Sequence, residues 1–216
     1  MTVVRFEISM SLDGFVAGPN ATLEDPLGEG GERLHEWIFG LASWQATHGR
    51  EGGATGPDDD RLRESVDRTG ATVMGRKMFS GGEGPWEHDS NAGGWWGDDP
   101  PFRKPVFILT HHGREPVVHR NGTTFNFVTD GIEAALDQAK RAAGDRDVSI
   151  AGGANVIQQY LNAGLVDELD LHVIPLMLGD GVRLFGRHRG SEPLGLEPAS
   201  VVDSPNVTHL RYRVPK

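Results

Sequence analysis

Two adjacent glycines, Gly152 and Gly153, stand between the apolar run Val148-Ser149-Ile150-Ala151 and the helical stretch Asn155-Val156-Ile157-Gln158-Gln159-Tyr160-Leu161. A short apolar run that ends in glycine and passes straight into a helix is a strand–turn–helix unit. It commits this part of the chain to α/β architecture. Without a Cβ at either position, backbone can come close to a ligand. The helix that follows offers free N–H groups and the positive end of its dipole to an anion. A tight strand-to-helix turn also asks for glycine, so the weight of this feature depends on what ends the other strands.

Val3 to Met10 reads as a first strand, closed by the turn at Asp13-Gly14. Residues 17–31 form a loop, and Leu34, Trp37, Ile38 and Leu41 stand at helical spacing, which predicts one helix over 32–45. A second glycine-rich loop at 46–57 leads to Asp58-Asp59-Asp60, acids suited to the first turn of a helix through Ser65 and Val66. Ala71 to Lys77 reads as a strand ending in Gly75, Arg76 and Lys77. Residues 80–105 are expected to be a long loop holding Trp86, Trp95 and Trp96, and loops of that length usually serve function. Further strands are expected over 105–110, 123–128, 148–151 and 169–174, with helices near 132–139 (Asp130 as N-cap) and 154–162. Two closing strands, near 194–202 and 207–214, leave no room for a crossover helix and so predict an antiparallel edge. The expectation is a single α/β domain over 1–216, with a mostly parallel sheet flanked by helices and loop inserts at 17–31, 46–57 and 80–105.

Several function classes drop out early. A net charge of −10 opposes binding to nucleic acid or to an anionic membrane, since neutralising phosphates needs basic clusters. There is no cysteine, hence no disulfide, thiolate nucleophile or thiolate metal site. No apolar run approaches the roughly 20 residues that span a bilayer, and the first residues lack a signal-peptide core, so a cytoplasmic protein is expected. His111-His112 is read as a loop pair and no metal is expected, because adjacent side chains on extended chain point apart.

In a parallel sheet the ligand gathers at the carboxyl ends of the strands. Those ends carry Gly75-Arg76-Lys77, Thr110-His111-His112-Gly113 and Gly152-Gly153-Ala154-Asn155, a locally basic set in an acidic chain. It suits an anion with several phosphates; a solvated strand end is the lesser alternative for Arg76 and Lys77. The G-x-G-x-x-G fingerprint with its downstream acid, which selects NAD, is absent, and bases favour a 2′-phosphate, which points to NADPH.

The ordered set Met10-Ser11-Leu12-Asp13-Gly14-Phe15-Val16-Ala17, Val73-Met74-Gly75-Arg76-Lys77, Ile108-Leu109-Thr110 and Ile150-Ala151-Gly152-Gly153-Ala154-Asn155 resembles the dihydrofolate reductase-like superfamily. Ile174-Pro175-Leu176-Met177-Leu178-Gly179-Asp180-Gly181, with Leu184-Phe185, is similar to its branch containing the reductase domain of bifunctional riboflavin-biosynthesis deaminase/reductases. The resemblance implies NADPH held by Gly152, Gly153, Ala154 and Asn155 at its pyrophosphate and nicotinamide half. It places Gly75, Arg76 and Lys77 at the phosphates, Thr110 and His111 at the adenosine ribose, and Ser9 and Val16 against the nicotinamide. The reaction it implies is hydride transfer to a C=N or C=O carbon of a small pteridine- or pyrimidine-type heterocycle, by a reductase without the deaminase zinc signature that is expected to be a homodimer.

Three acids are candidates for the proton-handling group: Asp59, the nearest match to the substrate-holding carboxylate of dihydrofolate reductases, Asp13 in the Ser-Leu-Asp-Gly turn, and Glu36 beside Trp37. The tryptophans of the inserts either stack on a flat substrate or cover core or an interface. An alternative reading keeps the cleft without turnover, as a nucleotide- or flavin-binding module.

Overall fold

The computed structural model describes residues 2–186 and 193–216. In chain order the strands are β1 (Val4–Ser11), β2 (Phe15–Ala17), β3 (Thr69–Gly75), β4 (Pro105–Leu109), β5 (Val117–Val118), β6 (Thr124–Val128), β7 (Asp147–Gly152), β8 (Glu168–Ile174), β9 (Val182–Arg183), β10 (Glu197–Ser204) and β11 (Val207–Arg213). The α-helices are α1 (Glu36–Phe39), α2 (Ala42–Thr47), α3 (Pro57–Arg68), α4 (Arg76–Ser80), α5 (Gly131–Ala143) and α6 (Ala154–Asn162). Nine strands form one sheet in the order β10-β11-β8-β1-β7-β3-β4-β6-β5, while β2 and β9 pair separately. The run from β8 to β6 is parallel throughout. β10 and β11 add the antiparallel edge expected from their short connection, and β5 adds a second one beyond β6.

The alternation in β1 sorts its side chains between two faces. Val4, Phe6, Ile8 and Met10 join the main core with Ala135, Leu136 and Ala139 of α5 and with Val156, Ile157 and Tyr160 of α6. Both helices present apolar residues at helical spacing, and α5 carries Glu133 in its first turn and Lys140 and Arg141 in its last. The opposite face receives α3, which opens on Pro57 and three aspartates and closes on Arg68. That helix has few apolar residues to offer, and it meets the sheet through charge.

Local expectations fail in instructive ways. The helix expected over 32–45 is instead a 3-10 turn at Gly31–Leu34 followed by α1 and α2. Leu41 is extended and bridges Ala54, with the Ala42 N–H on the Ala54 carbonyl and the Ala54 N–H on the Gly40 carbonyl. The glycine-rich loop thus docks against the chain and breaks the helix. Arg76 and Lys77 open α4 rather than close a strand. Asp130 stands at the start of α5 without a side-chain capping bond. The strand expected near 194–202 runs from Glu197 to Ser204, and the two-residue strands β5 and β9 were too short to show a period. The 80–105 insert holds only a 3-10 turn at Trp86–His88. No helix among the described residues is long and apolar enough to cross a membrane.

Candidate functional site

Parallel pairing brings the carboxyl ends together. Met74 is the register partner of Gly152, Gly75 of Leu109, and Leu109 of Val128. Gly152-Gly153, Arg76-Lys77 and Thr110-His111 therefore leave the sheet along one edge, on adjacent strands β7, β3 and β4.

The two glycines behave differently. Gly152 has φ +116°, a region that side chains disfavour, and the Gly152–Gly153 peptide bond is cis. A Cβ on Gly153 would meet nothing within 4 Å, so this backbone faces open space at the start of α6. The Gly153 carbonyl accepts the Val156 and Ile157 N–H groups, and no side chain caps the helix. Ala154 is buried in the core, while Asn155 is exposed and accepts a bond from Gln159 Nε2 at 2.6 Å. Gly75 has a packing reason for its identity, since a Cβ there would lie 2.8 Å from Val156 Cγ2.

Arg76 is largely buried and engaged through Nε and Nη2, while its Nη1 is buried without a hydrogen-bond partner. Its guanidinium lies 3.2 Å from the Trp86 ring centroid, donates from Nε to Ser80 Oγ at 3.0 Å, and pairs with Asp89. Burial alone would raise the Asp89 carboxyl, but bonds from Ser80 and Arg76 hold it below its ordinary value. Gly82 makes room for that carboxylate, which a Cβ there would strike. Lys77 is exposed and pairs with Glu83 at 2.5 Å. Both bases after β3 thus already have acids from the insert, and Trp86 Nε1 donates to the His112 carbonyl at 2.6 Å, pinning the insert over the ends of β3 and β4. Trp96 packs edge-on against Phe102, and Trp95 lies against Gly81. Trp86 and Trp96 pack against the core of Met74, Phe79, Val106, Ile108 and Phe125 at this edge.

Thr110 and His111 also lie at the edge. Thr110 Oγ1 accepts the His112 N–H at 3.1 Å, and His111 is exposed. Ser9 is buried and accepts a bond from Trp37 Nε1 at 3.0 Å, and Val16 is buried in the main core.

The three candidate acids do not converge. Asp13 accepts from Ser11 Oγ at 2.6 Å and from the N–H groups of Leu178 (3.1 Å) and Gly179 (2.7 Å), which hold its carboxyl below the ordinary range. That is the electrostatics of an ionised turn brace, opposite to what a proton donor needs. Asp59 is 2 % exposed, and it accepts the Ser43 N–H at 2.7 Å, tying α2 to α3. Glu36 is exposed on α1 while its neighbour Trp37 turns inward.

A buried polar array escaped the sequence reading. Glu7, His172, His209 and Asp58 follow one another by hydrogen bonds: Glu7 Oε1 to His172 Nε2 at 2.9 Å, Nδ1 to Nδ1 between the histidines at 2.7 Å, and His209 Nε2 to Asp58 Oδ1 at 3.0 Å. Trp37 packs against both imidazoles, with ring centroids 4.8 and 5.0 Å away. One signal was available: the polar residues of β1 fall on alternate positions, which marks a polar sheet face. The partners come from β8, β11 and α3, and only the register brings them together. Ser204, which bonds Asp58, also lines a surface cleft with Pro175, Asp203, Pro205, Val207 and Thr208, at the carboxyl edge beside β8.

The model of the RibD C-terminal domain family matches residues 2–210. Among curated proteins, the chain is 33% identical over 92 residues to uncharacterized protein YyaP of Bacillus subtilis, covering 41% of this chain and 48% of that protein. It is 36% identical over 78 residues to the riboflavin biosynthesis protein RibD of Corynebacterium ammoniagenes, covering 34% and 23%. The matched stretch thus spans less than half the length of each of these curated relatives. Among solved structures, a protein of Shewanella sp. PV-4 assigned by name to riboflavin biosynthesis superposes with a TM-score of 0.64 at 22% identity, over 100% of both chains. The Thermotoga maritima diaminohydroxyphosphoribosylaminopyrimidine deaminase/5-amino-6-(5-phosphoribosylamino)uracil reductase gives 0.59 at 14% identity, over 99% of this chain and 57% of that one. At these identities the superpositions show the shared α/β fold, with its mostly parallel sheet and antiparallel strands. With the family model matching almost from end to end, the chain belongs to the RibD C-terminal domain family.

Proposed function

We propose that this chain is an oxidoreductase that takes a hydride from NADPH and delivers it to a C=N or C=O carbon of a small pyrimidine- or pteridine-type heterocycle. The observation that carries this reading is the open backbone of Gly153 at an uncapped helix start, aligned by strand register with the bases after β3. The names of relatives support the substrate class: the Thermotoga maritima protein is a uracil-derivative reductase, and Rib7 of Saccharomyces cerevisiae is a riboflavin biosynthesis reductase.

Bound there, the dihydronicotinamide supplies the hydride. The first N–H groups of α6 would hold the pyrophosphate, since no side chain caps the helix and a Cβ on Gly153 before it would meet only open space. Lys77 would add positive charge at the phosphates, and Arg76 would do so if its guanidinium exchanged Asp89 for the 2′-phosphate. In this reading Thr110 and His111 would meet the adenosine ribose, and Ser9, near the end of β1, and Val16, beyond it, would flank the nicotinamide. The substrate is taken from the cytoplasm by a homodimer in this reading.

A second reading, a nucleotide- or flavin-binding module without turnover, has one observation in its favour. Among the three candidate acids, Asp13 is held ionised, Asp59 is committed to a backbone N–H, and Glu36 is exposed.

Titration with NADPH and NADH, followed by quenching of tryptophan fluorescence and then by absorbance at 340 nm with candidate heterocycles, separates the readings. Binding with turnover supports the reductase, binding without turnover supports the module, and no binding of either dinucleotide removes both nicotinamide claims. In the same assay Gly153→Val is expected to abolish binding of both dinucleotides, because its side chain would fill the open space over the turn.

A further inference from the structure

His172 and His209 are direct register partners on the antiparallel strands β8 and β11. Both are buried, at 4 % and 0 % exposure. Each ring turns its Nε2 to a carboxylate, Glu7 for His172 and Asp58 for His209, and its Nδ1 to the other ring at 2.7 Å. An ionised carboxylate only accepts, so both Nε2 atoms carry hydrogen. Two Nδ1 atoms at that distance need one hydrogen between them, since two bare lone pairs repel and two N–H groups collide. Two Nε2 hydrogens and one shared Nδ1 hydrogen make three on four ring nitrogens, which is one imidazolium and one neutral imidazole.

We propose that the His172–His209 pair binds one proton as a unit, and that this three-hydrogen state is an acid-sensitive latch holding Trp37 and the start of α3 on the sheet. The latch has a structural consequence at the β1 end. Trp37 packs on both rings and donates to Ser9, so the pair positions the side chain that braces Ser9. A fourth hydrogen leaves both Nδ1 atoms as donors and breaks the link between the rings, and loss of the third leaves no donor between them.

The charged surroundings fit a single bound proton. From β1, Glu7 faces His172, with Arg5 beside it. α3 contributes Asp58 and Arg61, β8 contributes Asp170, and β11 contributes Arg211. His35, just before α1, is half-buried, has a buried, unpartnered Nδ1, and feels the charge of His172. Burial holds His209 below the ordinary histidine value, against the bond to Asp58, which works to raise it. Proton exchange with solvent has a route through Asp58 to Ser204 at the surface cleft.

The test is nitrogen-15 and proton NMR of the ring nitrogens in the full chain, from pH 5 to 9. Three protonated ring nitrogens and one bare nitrogen across the pair near neutral pH, with a far-downfield exchangeable proton coupled to both rings, is the expected result. Two independently titrating neutral rings, each with one bare nitrogen at pH 7, would overturn it. Urea unfolding at pH 7 and 5 supplies a second readout. With its folded value depressed, His209 contributes stability that is present above about pH 6.5 and is lost as pH falls below it. Each such proton taken up only by the unfolded chain lowers the folding constant about tenfold per pH unit. His35 acts in the same direction, and His209→Phe leaves it in place while removing the tenfold contribution of the pair. Equal pH slopes for His209→Phe and the parent chain would sink the latch. Should His209→Phe fail to fold, the NMR count on the parent chain decides alone. The inference does not depend on the dinucleotide reading.

Discussion

The two faces of the central sheet are buried alike and held by opposite means. Phe6 and Arg5, neighbours on β1, both have 0 % exposure. Phe6 packs into the core under α5 and α6. Arg5 donates to Glu7 (3.1 Å), the Ser65 carbonyl (2.9 Å) and Thr69 Oγ1 (2.7 Å), and lies near Asp147 and Asp170. The charge continues outward: Arg68 bonds Asp147 and Glu168, each at 2.8 Å, and Arg211 bonds Asp170 at 2.7 Å and Glu64 at 2.8 Å. Apolar packing is indifferent to pH and demands shape; a buried ionic seam demands geometry as well and needs every charge answered.

The strongest way to break that contrast is to cut each face at β1. Arg5→Ala leaves Glu7, Asp147 and Asp170 short of a buried cation and should cost about 3–5 kcal/mol. Phe6→Ala should cost a similar ~3–5 kcal/mol by cavity formation. Urea unfolding from pH 7 to 3 then separates them. Burial works to raise the Glu7 carboxyl, but the bond and charge of His172, with Arg5, carry it well below the usual range. Its stabilisation is therefore present above about pH 4.3 and lost as pH falls further. Phe6→Ala should keep that acid loss in full, and Arg5→Ala should blunt it. Parallel pH curves would show that the ionic seam contributes nothing of its own.

Arg76 tests whether a seam-type contact can be lent to a ligand. Arg76→Ala should weaken NADPH by about 1.5–3 kcal/mol more than NADH, if the guanidinium trades Asp89 for the 2′-phosphate. Asp89→Asn should act in the opposite sense and tighten NADPH alone. Equal changes for both dinucleotides, measured by fluorescence titration, would place Arg76 purely with the structure of the insert.

On the apolar side the demand is for shape. Gly75→Ala should cost about 1–3 kcal/mol because its Cβ meets Val156, and Val156→Ala in the same chain should recover part of the loss. A double variant no more stable than Gly75→Ala would move the strain elsewhere. The smallest effect is expected at Tyr160, whose hydroxyl is a polar tip in that core and donates to the Ile132 carbonyl at 2.7 Å. Tyr160→Phe should cost about 0.5–1.5 kcal/mol with no pH dependence between 5 and 9, since burial pushes the phenol up out of that range.

Legibility followed the range of the forces involved. Strands β4, β6, β7 and β8 and helices α3, α5 and α6 could be read because period, turn glycines and end charges are local properties. The break between α1 and α2 could not, because it is made by Ala54, a residue across a glycine loop. For the candidate site, the glycine turn and the bases after β3 were visible as strand ends, but the acids that answer those bases were not. Asp89 and Glu83 sit in an insert without periodicity, and only its folding carries them back to Arg76 and Lys77. Asp59 was the aspartate nearest the expected position, yet the helix rotates Asp58 toward His209 and Asp59 toward Ser43.

By itself, then, the order of apolar runs and glycines determined the α/β class, the parallel sheet and the edge where a ligand would gather. Each of those follows from contacts between residues close in sequence and from rules of chain connection that hold for any such pattern. Tertiary structure decided which charges are free and which are spent. A hydrogen-bonded ion pair or a shared proton needs its partners within about 3 Å, and Glu7, Asp58, His172 and His209 reach that distance only when β1, α3, β8 and β11 are assembled.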